Sequence, residues 1–361
     1  MTLTDKQLEA ILKDPEKAAQ FYNLTYVYDN QLTIDRRKHG KGFRYFQNDK
    51  PITKKDLINR IKSLVIPPAW TDVRITDLAN GHLQVVGRDE KHRKVYKYHD
   101  LWTAFRNQTK FLKMSSFGNS LPLLRKQVEK NLQQEEMTKS KVLAIVITLL
   151  EETHIRIGNY YYAKNNNTYG LSTLRTKHVE HIKDSIQFHF IGKKNKEHQI
   201  KITDDSLIEL VNQCEEIPGW ELFQYFDEDG TKQRLDSGDI NTYIKELSGE
   251  LFTAKDFRTW SASKIFFETL RDEPYAEDES ENKSLRLKAY DKTAEALGNT
   301  RSVCREYYVH PMLNDSYKDG SIKPYFSKLK KMKKSSIKHL SQTEEVLLEM
   351  ISDYEISLEK N

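Results

Sequence analysis

The chain has 361 residues, 31% of them charged and 11% aromatic, with a mean hydropathy of −0.74 and a formal net charge of +5. That length supports two or three domains with real cores, and the aromatic content excludes a disordered chain. Two cysteines, Cys214 and Cys304, exclude a disulfide framework or a zinc site of cysteine/histidine spacing, and no run reaches the about 18 apolar residues of a membrane span.

The N-terminal MTLTDKQLEA lacks the apolar core of a secretory signal, so a soluble cytoplasmic protein is expected. The first hundred residues mix short aromatic and β-branched runs with turns: LTYVYDN, GFRYF, WTDVRI, HLQVVGRD and KVYKYHD. Their alternation predicts antiparallel strands, with turns at Gly81 and in GRDEKHRK and one helix around Asp56 to Leu64. Ten lysines and arginines fall between Ile34 and Lys62 against three aspartates, a positive stripe suited to an anionic partner.

From about Thr103 the period becomes helical. Domains are therefore expected at 1–104, a β-sheet domain, and 105–361, a mainly helical domain with a basic and amphipathic tail. Val142 to Leu150 is apolar except at Thr148, which predicts a helix buried on most sides. SIQFHFIGKKNKEHQIKI alternates on both sides of a Gly-Lys-rich turn, which predicts a β-hairpin within the helical domain. The acidic stretch Arg271 to Ser284 reads as a solvated loop, and Lys318 to Lys338 precedes an amphipathic helix in SQTEEVLLEMISDYEISLEK.

Five positions suggest chemistry. Arg156, directly after the buried helix, keeps its charge, so its partner is either a carboxylate such as Glu151 or Glu152 or a phosphate. Arg258 in KDFRTW is either a capping arginine or a second anion ligand. Lys193 and Lys194 at the hairpin tip are either solvated turn lysines or proton donors. Asn299 follows Gly298 and caps the next helix unless Thr300 does. A tyrosine lies nine residues after Asn299, and Tyr307 and Tyr308 are equally readable as core. Taken together, two arginines and an amide to hold phosphoryl oxygens, a lysine to protonate a leaving oxygen and a tyrosine nucleophile suit metal-free phosphoryl transfer.

In these segments the chain resembles the type IB DNA topoisomerases, in particular their poxvirus and bacterial branch. The likeness runs from about Tyr26 to Pro311 through GKGFRYF, IPPAWTDVRI, GHLQVVGRDEKHRKVYKYH, IRIGNYYYAKNNNTYGLSTLRTKHV, FIGKK, KDFRTW and LGNTRSVCREYYVHP, in that order. It implies an α+β fold: a small N-terminal antiparallel β-sheet domain and a mainly α-helical catalytic domain containing a β-hairpin, the two forming a C-shaped clamp around DNA. It also implies that Tyr308 is the nucleophile, Lys193 the general acid, and Arg156, Arg258 and Asn299 the ligands of the phosphate. Poxvirus members carry histidine where this chain has Asn299, so a neutral amide replaces an imidazole. At Val95 some relatives carry glutamine, which points to weaker base-specific contact beside Tyr96 and Tyr98.

The implied DNA contacts are Arg36, Arg37, Lys38, Lys41, Arg44, Arg93, Lys94, Tyr96, Tyr98, Gly170, Thr173 and Lys177, the cations setting affinity and its salt dependence. A turn and a strand surface are the alternative readings of Gly170, Thr173 and Lys177. The resemblance implies a cytoplasmic, nucleoid-associated monomer acting on double-stranded DNA without metal, cofactor or nucleotide. Tyrosine recombinases share a similar constellation, but Lys255 stands where they carry histidine and the N-terminal part reads as strands. A DNA-binding clamp that has lost chemistry is the third reading, against which all five site residues are present.

Overall fold

A computed structural model of the chain describes residues 10–249, 251–352 and 354. Its contacts divide it into two compact units, one extending to Lys110 and the other running from Phe111 to Tyr354. The boundary lies inside a single long helix.

Early in the first unit helix α1 (Pro15–Phe21) is N-capped by Asp14, whose carboxylate accepts the amides of Glu16 and Lys17. Its six strands are β1 (Ile34–His39), β2 (Gly42–Gln47), β3 (Lys50–Pro51), β4 (Thr71–Ile75), β5 (Leu83–Arg88) and β6 (Lys94–Tyr98). They form one antiparallel sheet in the order β3-β2-β1-β4-β5-β6. Between β5 and β6 the Asp89 carboxylate accepts the amides of Lys91 and Arg93, the side-chain turn that GRDEKHRK predicts. Helix α2 (Lys55–Ser63) buries Ile61 against Ile34, Val73, Ile75 and Val85 of the sheet.

Helix α3 (Asp100–Leu132) leads into the second unit, where it packs Phe117, Leu121 and Leu124 around α4 (Lys139–Thr153). Thr138 caps α4 by accepting the Lys141 amide, and every residue from Lys141 to Leu150 except Thr148 is buried. An apolar helix covered on all sides leaves little room for slip, and the loop at its C-terminal end is therefore held firmly. After α5 (Tyr160–Asn166) come β7 (Val179–Ile182), β8 (Ser185–Ile191) and β9 (Glu197–Ile202), so the predicted hairpin is present and gains a third strand. A second small hairpin, β10 (Gln224–Phe226) with β11 (Lys232–Arg234), lies between α6 (Asp205–Glu215) and α7 (Ser237–Ser248).

Helix α8 (Ala254–Arg271) begins with a capping box in which Asp256 reaches back to the Thr253 amide and hydroxyl. The acidic stretch is only partly the predicted loop: from Glu279 it forms the start of α9 (Glu279–Ala296). Asp278 caps that helix, and Glu279 and Glu281 lie in its first turn, where the helix dipole favours negative charge. Then come α10 (Arg301–Tyr307), α11 (Pro311–Asp319), α12 (Lys323–Lys331) and α13 (Gln342–Ser352). The rest of the predicted amphipathic tail, apart from Tyr354, lies outside the described residues.

Helix α13 is part of the core. Glu344, 3% exposed, accepts the Trp260 indole N–H at 3.0 Å and the Arg125 guanidinium at 2.8 and 3.0 Å, while Arg125 also holds Glu151. Burial works against the Glu344 carboxylate, but Arg125, the Ser341 amide and Trp260 outweigh it and bring its pKa down to about 2. Glu344→Gln removes the charge that Arg125 was built around, and a loss of about 3 kcal/mol is expected, read as a lower urea midpoint with unchanged slope.

Candidate active site

Helix α4 ends at His154, whose left-handed backbone (φ 54°) turns the chain out of the helix. Arg156 follows in an extended loop that is pinned from behind. Its carbonyl accepts the Leu171 amide at 2.9 Å, and the neighbouring Ile157 carbonyl accepts that of Ser172 at 2.7 Å. The two strands of backbone meet at Gly158 and Gly170: a Cβ on Gly170 would stand 2.3 Å from the Arg156 carbonyl oxygen, so only glycine lets them approach.

Opposite this loop, α9 ends in a Gly298 turn (φ 61°), and Thr300 caps α10 by accepting the Val303 amide. Because Thr300 serves as the cap, the Asn299 side chain is left to face Arg156, and its Oδ1 accepts a hydrogen bond from Arg156 Nη2. Arg156 thus pairs with the amide, while Glu151 belongs to Arg125.

Arg258, 4% exposed on the first turns of α8, joins the same two loops. It donates to the carbonyl of His154 from one terminal nitrogen and to that of Leu297, at 2.9 Å, from the other. Its guanidinium carbon lies 5.4 Å from the centre of the Tyr308 ring. Tyr308 closes α10, its amide donating to the Cys304 carbonyl, and Ser263 of α8 accepts the His310 amide at 3.0 Å just beyond. Tyr308 is half-buried, whereas Tyr307 is 36% exposed.

Two buried donors in this cluster, Arg258 Nε and Asn299 Nδ2, have no hydrogen-bond partner. Unsatisfied buried donors are costly, and these two lie on side chains tied to the same Arg156 and Leu297–Asn299 segments, which suits them to acceptor oxygens. Burial and the neighbouring Arg156 lower the Arg258 guanidinium to about 10, still ionised at neutral pH. Burial would raise the Tyr308 phenol, but Arg258, Arg156 and Lys255 outweigh it and hold it below its ordinary value.

The catalytic-core family described as eukaryotic DNA topoisomerase I matches residues 100–336, and the N-terminal domain of bacterial DNA topoisomerase IB matches residues 42–89. The chain is 34% identical over 285 residues to DNA topoisomerase 1B of Acanthamoeba polyphaga mimivirus, covering 76% of this chain and 84% of that one. The chain belongs to the type IB DNA topoisomerases. DNA topoisomerase 1B of Vaccinia virus (strain Copenhagen) is 23% identical over 79% of this chain and 92% of its own. DNA topoisomerase 1 alpha of Arabidopsis thaliana is 25% identical over 56% of this chain and 21% of its own.

In this topoisomerase the four residues Arg156, Arg258, Asn299 and Tyr308 come from three separate segments, Asn299 and Tyr308 flanking the same short helix α10, and meet in one cluster. Lys193 stands apart, exposed with Lys194 at the tip between β8 and β9, where Lys194 adopts a left-handed backbone. Thr173 is buried, and its hydroxyl bonds the amide and carbonyl of Gly170, so these two residues build the turn behind Arg156. Lys177 is exposed on the short 3-10 turn Thr176–His178. Among the described residues no group of three histidine, cysteine or carboxylate side chains is placed to hold a metal ion.

In the first unit of this topoisomerase Lys94, Tyr96 and Tyr98 occupy alternate positions of β6, and the two tyrosine rings stack 6.1 Å apart, 42% and 39% exposed. Lys94 pairs with Asp29, Arg93 with Asp89, and Arg37 with Asp49. Arg36 is engaged within its own unit: it donates to the carbonyls of Pro67 and Trp70 and lies over the Phe43 ring. Lys38, Lys41 and Arg44 are exposed on the β1–β2 hairpin.

Sequence reasoning missed His154, Ser263 and His310, which lack any periodic signal and acquire partners only through the fold. Burial pushes the His154 imidazole down to about 4, with Arg258 and Lys264 adding to it, and burial pushes His310 down to about 3. Below about pH 6.5 the unfolded chain takes up protons that these two rings refuse, so stability present above pH 6.5 is lost as the pH falls towards 4 and 3. A loss of about 5 kcal/mol from these two rings between pH 7 and 4.5 is expected in urea melts, and His310→Phe should flatten the slope.

Proposed function

We propose that this chain relaxes supercoiled duplex DNA by transient cleavage of one strand, and the observation that carries this is the cluster in which Arg258, with an unpartnered Nε, lies beside the Tyr308 ring while Asn299, with an unpartnered Nδ2, holds Arg156. The Tyr308 oxygen, releasing its phenol proton to solvent, attacks a backbone phosphorus and forms a 3′-phosphotyrosine as the bond from phosphorus to the 5′ oxygen breaks. Arg156, Arg258 and Asn299 hold the non-bridging oxygens, on which charge grows as the phosphorus becomes five-coordinate. Lys193 gives its proton to the departing 5′ oxygen, a role worth roughly a hundred- to ten-thousand-fold.

The free 5′-hydroxyl strand then rotates about its partner, releasing supercoils, and attacks the phosphotyrosine to restore the original bond. The ester keeps the energy of the broken linkage, so the cycle consumes no nucleotide. Arginine suits the two anion-holding positions because its planar fork binds a carbonyl and a phosphate oxygen at once. Exposed Lys38, Lys41, Arg44 and Lys177, with Tyr96 and Tyr98, contact the duplex in this reading, each phosphate contact steepening the salt dependence of binding by about one unit. The protein acts as a cytoplasmic, nucleoid-associated monomer.

The test is relaxation of a supercoiled plasmid by the full chain in EDTA without ATP. A ladder of partly relaxed topoisomers is expected. Strand exchange between two duplexes would identify a recombinase instead, and plasmid binding without any change of topology would leave a non-catalytic clamp.

A further inference from the structure

His198 on β9 occupies a slot walled by two glycines that each precede a residue of the proposed machinery. A Cβ on Gly192, next to Lys193, would stand 2.7 Å from its Cδ2 and Nε2, and a Cβ on Gly298, next to Asn299, would stand 2.6 Å from its Cε1. Neither wall has room for a side chain while the ring is present. The ring stacks on its cross-strand partner Phe190 at 5.0 Å and 10°, which fixes its plane. Gly192 also donates its amide to the Lys196 carbonyl at 2.7 Å, closing the hairpin tip around the same ring.

The imidazole therefore joins the base of the lysine-bearing tip to the turn that presents Asn299 to Arg156. Lys193 and Lys194 are exposed, and Lys194 lies in the left-handed region, so the tip's own backbone does little to aim an ammonium group. Burial lowers the ring to about 4, with Arg156, Lys196 and Arg258 adding to it, so at neutral pH it is an uncharged spacer.

We propose that His198 is a positioning residue that holds the hairpin in register with the Arg156–Asn299 pair and so delivers the Lys193 ammonium to the leaving oxygen. This rests on the reading of Lys193 as general acid. Removing the ring frees the tip, and a shift of about 1 Å in a catalytic group costs on the order of a hundred-fold.

The test is single-turnover cleavage of a duplex whose cleaved strand ends shortly after the break, so that the short downstream fragment with its new 5′-hydroxyl is lost and the covalent product accumulates. His198→Ala in the full chain is expected to slow cleavage roughly 10- to 100-fold with duplex affinity unchanged. The same duplex with sulfur in place of the bridging 5′ oxygen loses a thiolate, which needs no proton, when its P–S bond breaks. With that substrate His198→Ala should run within about threefold of the wild type, as should Lys193→Ala.

A defect of His198→Ala that persists with the sulfur substrate overturns the proposal. A sulfur-insensitive Lys193→Ala defect overturns the general-acid reading and the proposal with it, and is distinguishable because it appears in the lysine variant. Gly192→Ala supplies a second approach, since its methyl group must displace the ring. Its loss is expected not to add to that of His198→Ala, and simple additivity of the two losses would also overturn the coupling.

Discussion

Tyr308→Phe is expected to leave a protein that folds and binds duplex DNA yet forms no covalent adduct, a loss of roughly 10⁵-fold or more in cleavage. The phenol oxygen is the atom that bonds phosphorus, and nothing else in the cluster replaces it. Cys304 comes from the preceding turn of α10, but its thiol is buried and burial raises its pKa, although Asn299, Arg258 and Arg156 pull against that rise. Tyr307 lies on the exposed side of the same turn, and Tyr307→Phe should stay within about twofold of the wild type. Denaturing the reaction mid-turnover and mapping the labelled peptide decides between them: adduct formation by Tyr308→Phe, or its loss in Tyr307→Phe, would move the nucleophile to Tyr307.

Part of this site was legible in the residues and part was not, for physical reasons that differ by position. Helix α4 announced itself because a run apolar on every face has one stable home, the middle of a core. Strands β8 and β9 did so through strict alternation on both sides of a turn. Strands β10 and β11, three residues each, are too short to show a period, and β7 reads VEHI with little apolar content. The helical start of Glu279 to Ser284 was hidden by its charge, although Asp278 and the acids after it are what a helix N-terminus favours.

At the site the motifs supplied residue identities, but only the fold supplied partners. That Thr300 rather than Asn299 caps α10, freeing the amide for Arg156, depends on a backbone turn that either residue would fit. Arg36 was readable as a cation, but its engagement by carbonyls thirty or more residues away was not. His198 gave no signal at all: an isolated histidine in a strand acquires meaning only when the hairpin's own Gly192 and the distant Gly298 close on it.

Arg258→Ala is expected to lower the cleavage rate by about 10³- to 10⁵-fold, more than the loss of a single charge donor ordinarily costs. The excess comes from its two tasks. Its terminal nitrogens hold the carbonyls of His154 and Leu297, the residues that lead into Arg156 and into Gly298–Asn299, while its unpartnered Nε faces the proposed phosphate site. Alanine therefore removes one ligand and loosens the loops that carry the other two. Arg258→Lys separates the tasks: an ammonium keeps the charge but lacks the planar fork that spans two carbonyls and an oxyanion together. If geometry dominates, lysine recovers less than about tenfold of the alanine loss, and both variants weaken the Arg156 and Asn299 contributions in double-mutant cycles. If charge alone matters, lysine restores most of the rate and Arg258→Ala adds independently to Asn299→Ala, an outcome that would refute the stapling role. Stability keeps the comparison clean, because the two orphaned carbonyls cost about 2–3 kcal/mol in the alanine variant, so rates are compared at a temperature where urea melts show all variants folded.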